Sequence, residues 1–171
     1  MSTAKGYSLW LMPSGESYNR LNSIISQLSR RHNAQYFEPH VTLMGEILGT
    51  EDELVSKTAK LSSLIQKYEI DLGKVEFLPE YFKCLFLRAR ESDKVMLANE
   101  VTRKVFGREH DPKYMPHLSL LYGDFSPTIK EEMIAKIGND ISIKFDVNSI
   151  HLFSTNGEPK DWYRVKEFSL K

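Results

Sequence analysis

Pro39-His40-Val41-Thr42-Leu43 recurs as Pro116-His117-Leu118-Ser119-Leu120. A proline, a histidine, an aliphatic residue, a short hydroxyl residue and a leucine stand twice in the same order. If each segment is extended, its side chains alternate between two faces. His40 and Thr42 then share one face, with Val41 and Leu43 on the other. His117 and Ser119 are set in the same way against Leu118 and Leu120. Core packing accounts for the four aliphatic residues. It does not account for a polar pair recurring on the opposite face, because buried polar groups need partners. A ligand-lined cleft supplies them, so the repeat predicts two matching strands that flank a site.

Outward from the motifs, Tyr7 to Met12 reads as a buried strand stopped by Pro13. Ser14 to Arg31 places Leu21, Ile24, Ile25 and Leu28 at helical spacing. Phe37 to Ile47 is the first motif strand. Thr50-Glu51-Asp52-Glu53 has the pattern of a capping box and predicts a helix reaching about Tyr68. Ile70 to Leu78 and Lys83 to Ala89 are predicted strands joined by a turn at Pro79-Glu80. In the second half, Ser92 caps a helix through Phe106 that Gly107 ends, and Tyr114 to Tyr122 is the second motif strand. Ser126-Pro127 starts a further helix, closed by Gly138. Ile141 to Ser154 and Trp162 to Leu170 are strands around a polar turn at Thr155 to Lys160.

The order is thus βαβαβ followed by βαβαββ. A duplicated α+β unit is the simplest account. It predicts a single bilobal domain over residues 1–171 with pseudo-two-fold symmetry. Two antiparallel sheets would line a central cleft, with helices on the outside.

Hydrophobic residues make up 41% and charged residues 27% of the 171 positions, which is globular composition and excludes a disordered chain. The 23 basic and 23 acidic side chains cancel, so no global positive field exists to hold long nucleic acid. A small ligand, or one end of an RNA, fits better. Cys84 is the only cysteine, which rules out an intrachain disulfide and a cysteine-rich zinc site. The apolar run broken at Pro13 is too short for a signal peptide, and no stretch approaches membrane-spanning length. The expectation is a cytoplasmic protein, or one of another intracellular compartment, with no membrane partner. The final Lys171 sets the C-terminus apart from a peroxisomal tripeptide.

The chain resembles the two-histidine (2H) phosphoesterases, whose signature is a pair of His-x-Thr/Ser-x-hydrophobic motifs. Within that superfamily it is most similar to the cyclic nucleotide phosphodiesterases of fungi and plants. Besides both motifs, the likeness is carried by Tyr7-Ser8-Leu9-Trp10, by Phe82-Lys83-Cys84-Leu85-Phe86-Leu87 and by Tyr114-Met115 and Leu121-Tyr122 around the second motif. It covers nearly the whole chain. The resemblance implies hydrolysis of nucleoside 2′,3′-cyclic phosphates to nucleoside 2′-phosphates. It also implies opening of ADP-ribose 1″,2″-cyclic phosphate, a by-product of tRNA splicing, to ADP-ribose 1″-phosphate. It assigns water activation to His117 and protonation of the leaving oxygen to His40; the symmetric motif alone leaves that choice open.

The chemistry suits those residues. Histidine, with an ordinary pKa of about 6.5, can be acid or base near neutrality. Thr42 and Ser119 can donate hydroxyl protons to phosphate oxygens. A strained five-membered cyclic phosphate opens readily, and two histidines without a nearby carboxylate or cysteine make a poor divalent site. No metal and no cofactor are therefore expected. Trp10, Phe82 and Tyr122 are the expected wall for the base or ribose, because aromatic faces stack on nucleobases. Trp162-Tyr163 reads as a packing pair at a strand edge. His32, His110 and His151 lack the hydroxyl companion and receive no role.

Two other readings stay open on sequence. One is an RNA-end-processing enzyme, like a 2′,5′-RNA ligase or an RNA phosphodiesterase. The other is a non-catalytic nucleotide-binding module. A monomer is the simpler expectation for assembly.

Overall fold

A capping residue, a helix, a proline or glycine stop and a short apolar strand alternate along most of the chain. The computed structural model describes residues 2–171. The elements run β1 (Tyr7–Leu11), α1 (Gly15–Arg31), β2 (Val41–Ile47), α2 (Glu51–Ser62), β3 (Tyr68–Glu76), β4 (Leu85–Ala89) and α3 (Asp93–Phe106). They continue with β5 (His117–Leu121), α4 (Pro127–Ile137), β6 (Asp140–Val147), β7 (Ser149–Ser154) and β8 (Tyr163–Ser169). Single 3-10 turns occupy Tyr81–Lys83 and Pro159–Asp161.

Local chemistry starts and stops these elements. The Thr50 hydroxyl accepts from the Glu53 backbone, and the Glu53 carboxylate accepts from the Thr50 backbone, which forms the capping box of α2. Ser92 and Ser126 cap α3 and α4 in the simpler way. Gly107, at φ 68°, ends α3 in the left-handed conformation that glycine adopts without a Cβ clash. α2 stops at Ser62, short of the expected limit, and Tyr68 opens β3. Both motif strands also start later than alternation predicts. Pro39 and Pro116 have no N–H for a ladder, so pairing begins only beyond them, at Val41 and His117.

The α+β class holds, but the expected pair of sheets is a single sheet. Eight antiparallel strands form one curled layer in the order β6-β3-β4-β5-β2-β1-β7-β8. The two motif strands join at its centre, with Val41 opposite Leu118, and that pairing makes the sheet continuous. Four strands lie on each side of this seam. These groups are not the two halves of the sequence. β3, from the first half, pairs with β4 and β6, whereas β7 and β8 extend the sheet beyond β1. Alternation and caps define each strand but carry no information about the edge it will join.

Period two then sorts the residues. Leu9, Leu11, Val41, Leu43, Leu118 and Leu120 enter one buried core with Leu21, Ile25, Leu54, Leu61 and Val95 of the helices. α1 packs on β5 and β6, α2 on β7 and β8, and α3 on β2 and β3. The opposite face carries Ser8, Trp10, Thr42, His117 and Ser119, which line a cavity. Behind that lining lie buried aromatic rings: Phe86 packs edge-on to His117 and Phe153 stacks on Trp10, and all three aromatic residues are at most 3% exposed.

Candidate active site

His40 and His117 are held by the same local device. His40 Nδ1 lies 2.7 Å from the Glu38 carbonyl oxygen, and His117 Nδ1 lies 2.9 Å from that of Met115. A carbonyl can only accept, so each Nδ1 carries a hydrogen and donates it. In both motifs the acceptor sits two residues upstream, across the proline. A neutral imidazole pinned in this tautomer keeps its lone pair on Nε2.

Burial favours that neutral form. It pulls the His40 pKa from 6.5 down to about 3, opposed by the bond to the Glu38 carbonyl and reinforced by His117. The His117 pKa is also lowered, first by burial and then by the positive charges of Lys83 and Arg88. Its Met115 bond and Glu80 act in the opposite direction. Both rings are therefore uncharged near neutrality, with Nε2 unprotonated, and both become easier to protonate when a negative charge enters beside them.

The hydroxyls face the histidines across the central seam. With Val41 opposite Leu118 in an antiparallel pair, Thr42 falls across from His117 and His40 across from Ser119. The β2 backbone is fixed from outside: Tyr114 Oη donates to the Thr42 carbonyl at 2.8 Å, and Asn99 Nδ2 to that of Leu43 at 2.9 Å. Ser119 Oγ donates to the Phe82 carbonyl at 2.9 Å. Its single proton reaches a phosphate only after the hydroxyl rotates.

The aromatic residues divide differently from the sequence expectation. Trp10 stacks on His40 with centroids 3.5 Å apart and planes 5° apart. It also stacks on Phe153 at 3.8 Å and 19°. Two rings this close and this parallel to one indole must lie on opposite faces. Trp10 is 2% exposed, so neither of its faces is open to a nucleobase, which corrects its expected stacking role. Phe37 covers one face of Tyr122 at 3.7 Å and 19°. Phe82 is half-buried, supplies the acceptor for Ser119 and lines the cavity.

Trp162 is the residue that sequence reasoning missed. It lies within 6.2 Å, centroid to centroid, of Trp10, Phe82 and Tyr122, so it is part of the wall and not a strand-edge pair with Tyr163. The signal that could have found it is a tryptophan directly after the polar turn, where a solvated residue would suffice.

One cavity of about 380 Å³ brings Trp10, His40, Thr42, Phe82, His117, Ser119 and Tyr122 together, with Trp162 beside them. At its rim Lys83 pairs with Glu80 at 2.9 Å. Among the described residues no group of three His, Cys, Asp or Glu side chains could hold a metal ion. His151 lies on β7 opposite Trp10, with Nε2 3.2 Å from Ser149 Oγ, and does not line this cavity. Cys84 is buried in the core and does not line this cavity.

Comparison with known proteins gives a consistent result. The family model described as cyclic phosphodiesterase-like protein matches residues 5–170. A cyclic phosphodiesterase of Arabidopsis thaliana is 28% identical over 158 residues, 90% of this chain and 87% of the relative. A 2′,3′-cyclic-nucleotide 3′-phosphodiesterase of Phaeosphaeria nodorum is 33% identical over 150 residues, 77% of this chain and 76% of the relative. The crystal structure of E. coli LigT complexed with 3′-AMP superposes with a TM-score of 0.65 at 10% identity, covering 98% of this chain and 99% of that one. That likeness is one of fold.

Proposed function

The chain belongs to the cyclic phosphodiesterase-like family, and on that premise we propose that it hydrolyses nucleoside 2′,3′-cyclic phosphates to nucleoside 2′-phosphates. ADP-ribose 1″,2″-cyclic phosphate, opened to ADP-ribose 1″-phosphate, is the second substrate of this reading. The observation that carries it is the matched pair of imidazoles, each pinned through Nδ1 by a carbonyl two residues upstream, in one cavity with two hydroxyls. The name of the Phaeosphaeria relative, a 3′-phosphodiesterase, supports cleavage on the 3′ side.

In the reaction, His117 Nε2 takes a proton from water as the water oxygen bonds to phosphorus. The bond from phosphorus to O3′ breaks, and His40 Nε2–H delivers a proton to the departing oxygen. Burial keeps His117 neutral, so its Nε2 lone pair is free to take the proton, and the negative phosphate restores basicity that burial removes. His40 gains its proton with the substrate, because the phosphate's negative charge favours an imidazolium in a site of low polarity. Charge developing on the non-bridging oxygens is met by the Thr42 hydroxyl and by the rotated hydroxyl of Ser119. No metal enters this scheme: the ring strain of the substrate and two positioned proton carriers suffice.

Phosphorus NMR on 2′,3′-cyclic AMP and ADP-ribose 1″,2″-cyclic phosphate tests the reading. The expected products are 2′-AMP and ADP-ribose 1″-phosphate. His40→Ala and His117→Ala should each lower kcat/KM by about a hundredfold or more, the usual contribution of a general acid or base. Near-wild-type turnover by either variant would overturn the two-histidine mechanism.

A further inference from the structure

Both motif imidazoles are held neutral by burial, so neither brings a formal positive charge to meet an arriving cyclic phosphate. Thr42 and Ser119 are neutral donors, and the Ser119 proton is already engaged by the Phe82 carbonyl. Taking an anion out of water without a charged partner is costly. The phosphate grip described so far lacks a cation.

Two cations act on His117: Lys83 and Arg88. Arg88 stands opposite His117 on β4, but its guanidinium is held by both carboxylate oxygens of Glu76, and it does not line the cavity. Lys83 does line it, together with Phe82, His117 and Ser119. Lys5, the other lysine of the lining, is not among the charges that shift His117.

The backbone beneath Lys83 is fixed and its ammonium is not. Lys83 ends the 3-10 turn Tyr81–Lys83. The three carbonyls of that turn accept in order from Gly123 N–H at 3.1 Å, Ser119 Oγ–H at 2.9 Å and Leu78 N–H at 2.9 Å. The same turn thus anchors the Ser119 hydroxyl and carries the lysine. Lys83 Nζ meets only Glu80, three residues back, at 2.9 Å, with the two side chains 36% and 54% exposed. Exposed pairs of this kind hold weakly and exchange partners readily.

We propose that Lys83 is a phosphate-binding residue of the reaction: its ammonium leaves Glu80 and donates to a non-bridging oxygen of the cyclic phosphate held between His40 and His117. The inference rests on the hydrolase reading and adds to it the missing cation. Negative charge on those oxygens grows as water bonds to phosphorus, so the ammonium stabilises the transition state more than the bound substrate. Glu80 is the counter-ion that holds Lys83 at the rim until the phosphate replaces it.

Lys83→Met and Glu80→Gln break one ion pair from its two ends, and the proposal requires them to move activity in opposite directions. Steady-state kinetics on 2′,3′-cyclic AMP should show kcat lowered roughly ten- to a hundredfold in Lys83→Met, the size of one charged hydrogen bond. Lys83→Arg should recover most of it. Glu80→Gln, which releases the ammonium, should raise kcat/KM a few-fold. Thermal melts verify folding, and Lys83→Gln repeats the test should Lys83→Met fail to fold. Equal losses in Lys83→Met and Glu80→Gln would make the pair a structural one and overturn the proposal. So would rates within twofold of wild type in both. A Lys83→Met loss confined to KM and abolished by about 0.5 M salt would also overturn it, leaving a long-range field without contact. Absence of turnover by wild type overturns the hydrolase reading itself.

Discussion

The indole of Trp10 lies parallel to the imidazole of His40 at 3.5 Å, with Phe153 against its other face. His40 is therefore oriented twice: Nδ1 by the Glu38 carbonyl, and the ring plane by the indole. A residue that resembles a substrate contact in sequence is, in the fold, a support for the proposed acid.

Trp10→Ala should lower kcat about tenfold or more and destabilise the protein by about 3–5 kcal/mol, the usual cost of removing a buried large aromatic side chain. Trp10→Phe, which can still stack, should keep most of both. Steady-state kinetics and thermal melts check this. An unchanged kcat with a raised KM in Trp10→Ala would make the indole a substrate wall instead.

Thr42→Ala and Ser119→Ala should each lower kcat by about a hundredfold, typical of a lost transition-state donor. They should differ in stability. Only Ser119→Ala deletes a bond to a backbone carbonyl, that of Phe82, at a net cost of about 1 kcal/mol. Thr42→Ser, which retains the hydroxyl, should recover most activity. Paired melting curves and rates separate these effects.

Stability should fall on acidification below about pH 6.5. In the unfolded chain His40 titrates at its ordinary 6.5, whereas in the fold burial holds it to about 3. Between those values the unfolded state binds a proton that the folded state excludes, so the contribution present above 6.5 is lost as pH falls. His117 and His151, also lowered by burial, act in the same direction. Melting temperatures from about pH 7 down to about pH 4 should decline less steeply in His40→Gln than in wild type. Equal slopes would show that His40 titrates normally in the fold.

Trp162→Ala should raise KM for 2′,3′-cyclic AMP about tenfold while leaving kcat within a few-fold, because its ring lies in the wall and makes no proton transfer. A matching loss in kcat would place Trp162 with the reacting atoms.

Much of this was legible along the chain. The α+β class, the capped helices and the alternation of the motif strands follow from contacts within a few residues. So do the faces on which His40, Thr42, His117 and Ser119 lie. The bond from each imidazole to the carbonyl two residues back is also local. It went unread because which ring nitrogen a carbonyl meets depends on backbone angles around the proline.

What the sequence by itself determined is a repeated histidine motif, its hydroxyl companions and the side of the strand each occupies, since period two and caps are short-range physics. Only the tertiary structure decided the rest. One sheet forms instead of two because Val41 meets Leu118 across the seam. β3 leaves the first half of the chain and pairs beside β4. Trp10 is closed off between His40 and Phe153, whereas Trp162, distant in sequence, reaches the cavity. Strand pairing and ring stacking join residues far apart along the chain. No local pattern encodes which of many compatible edges or faces will meet until the whole core has packed.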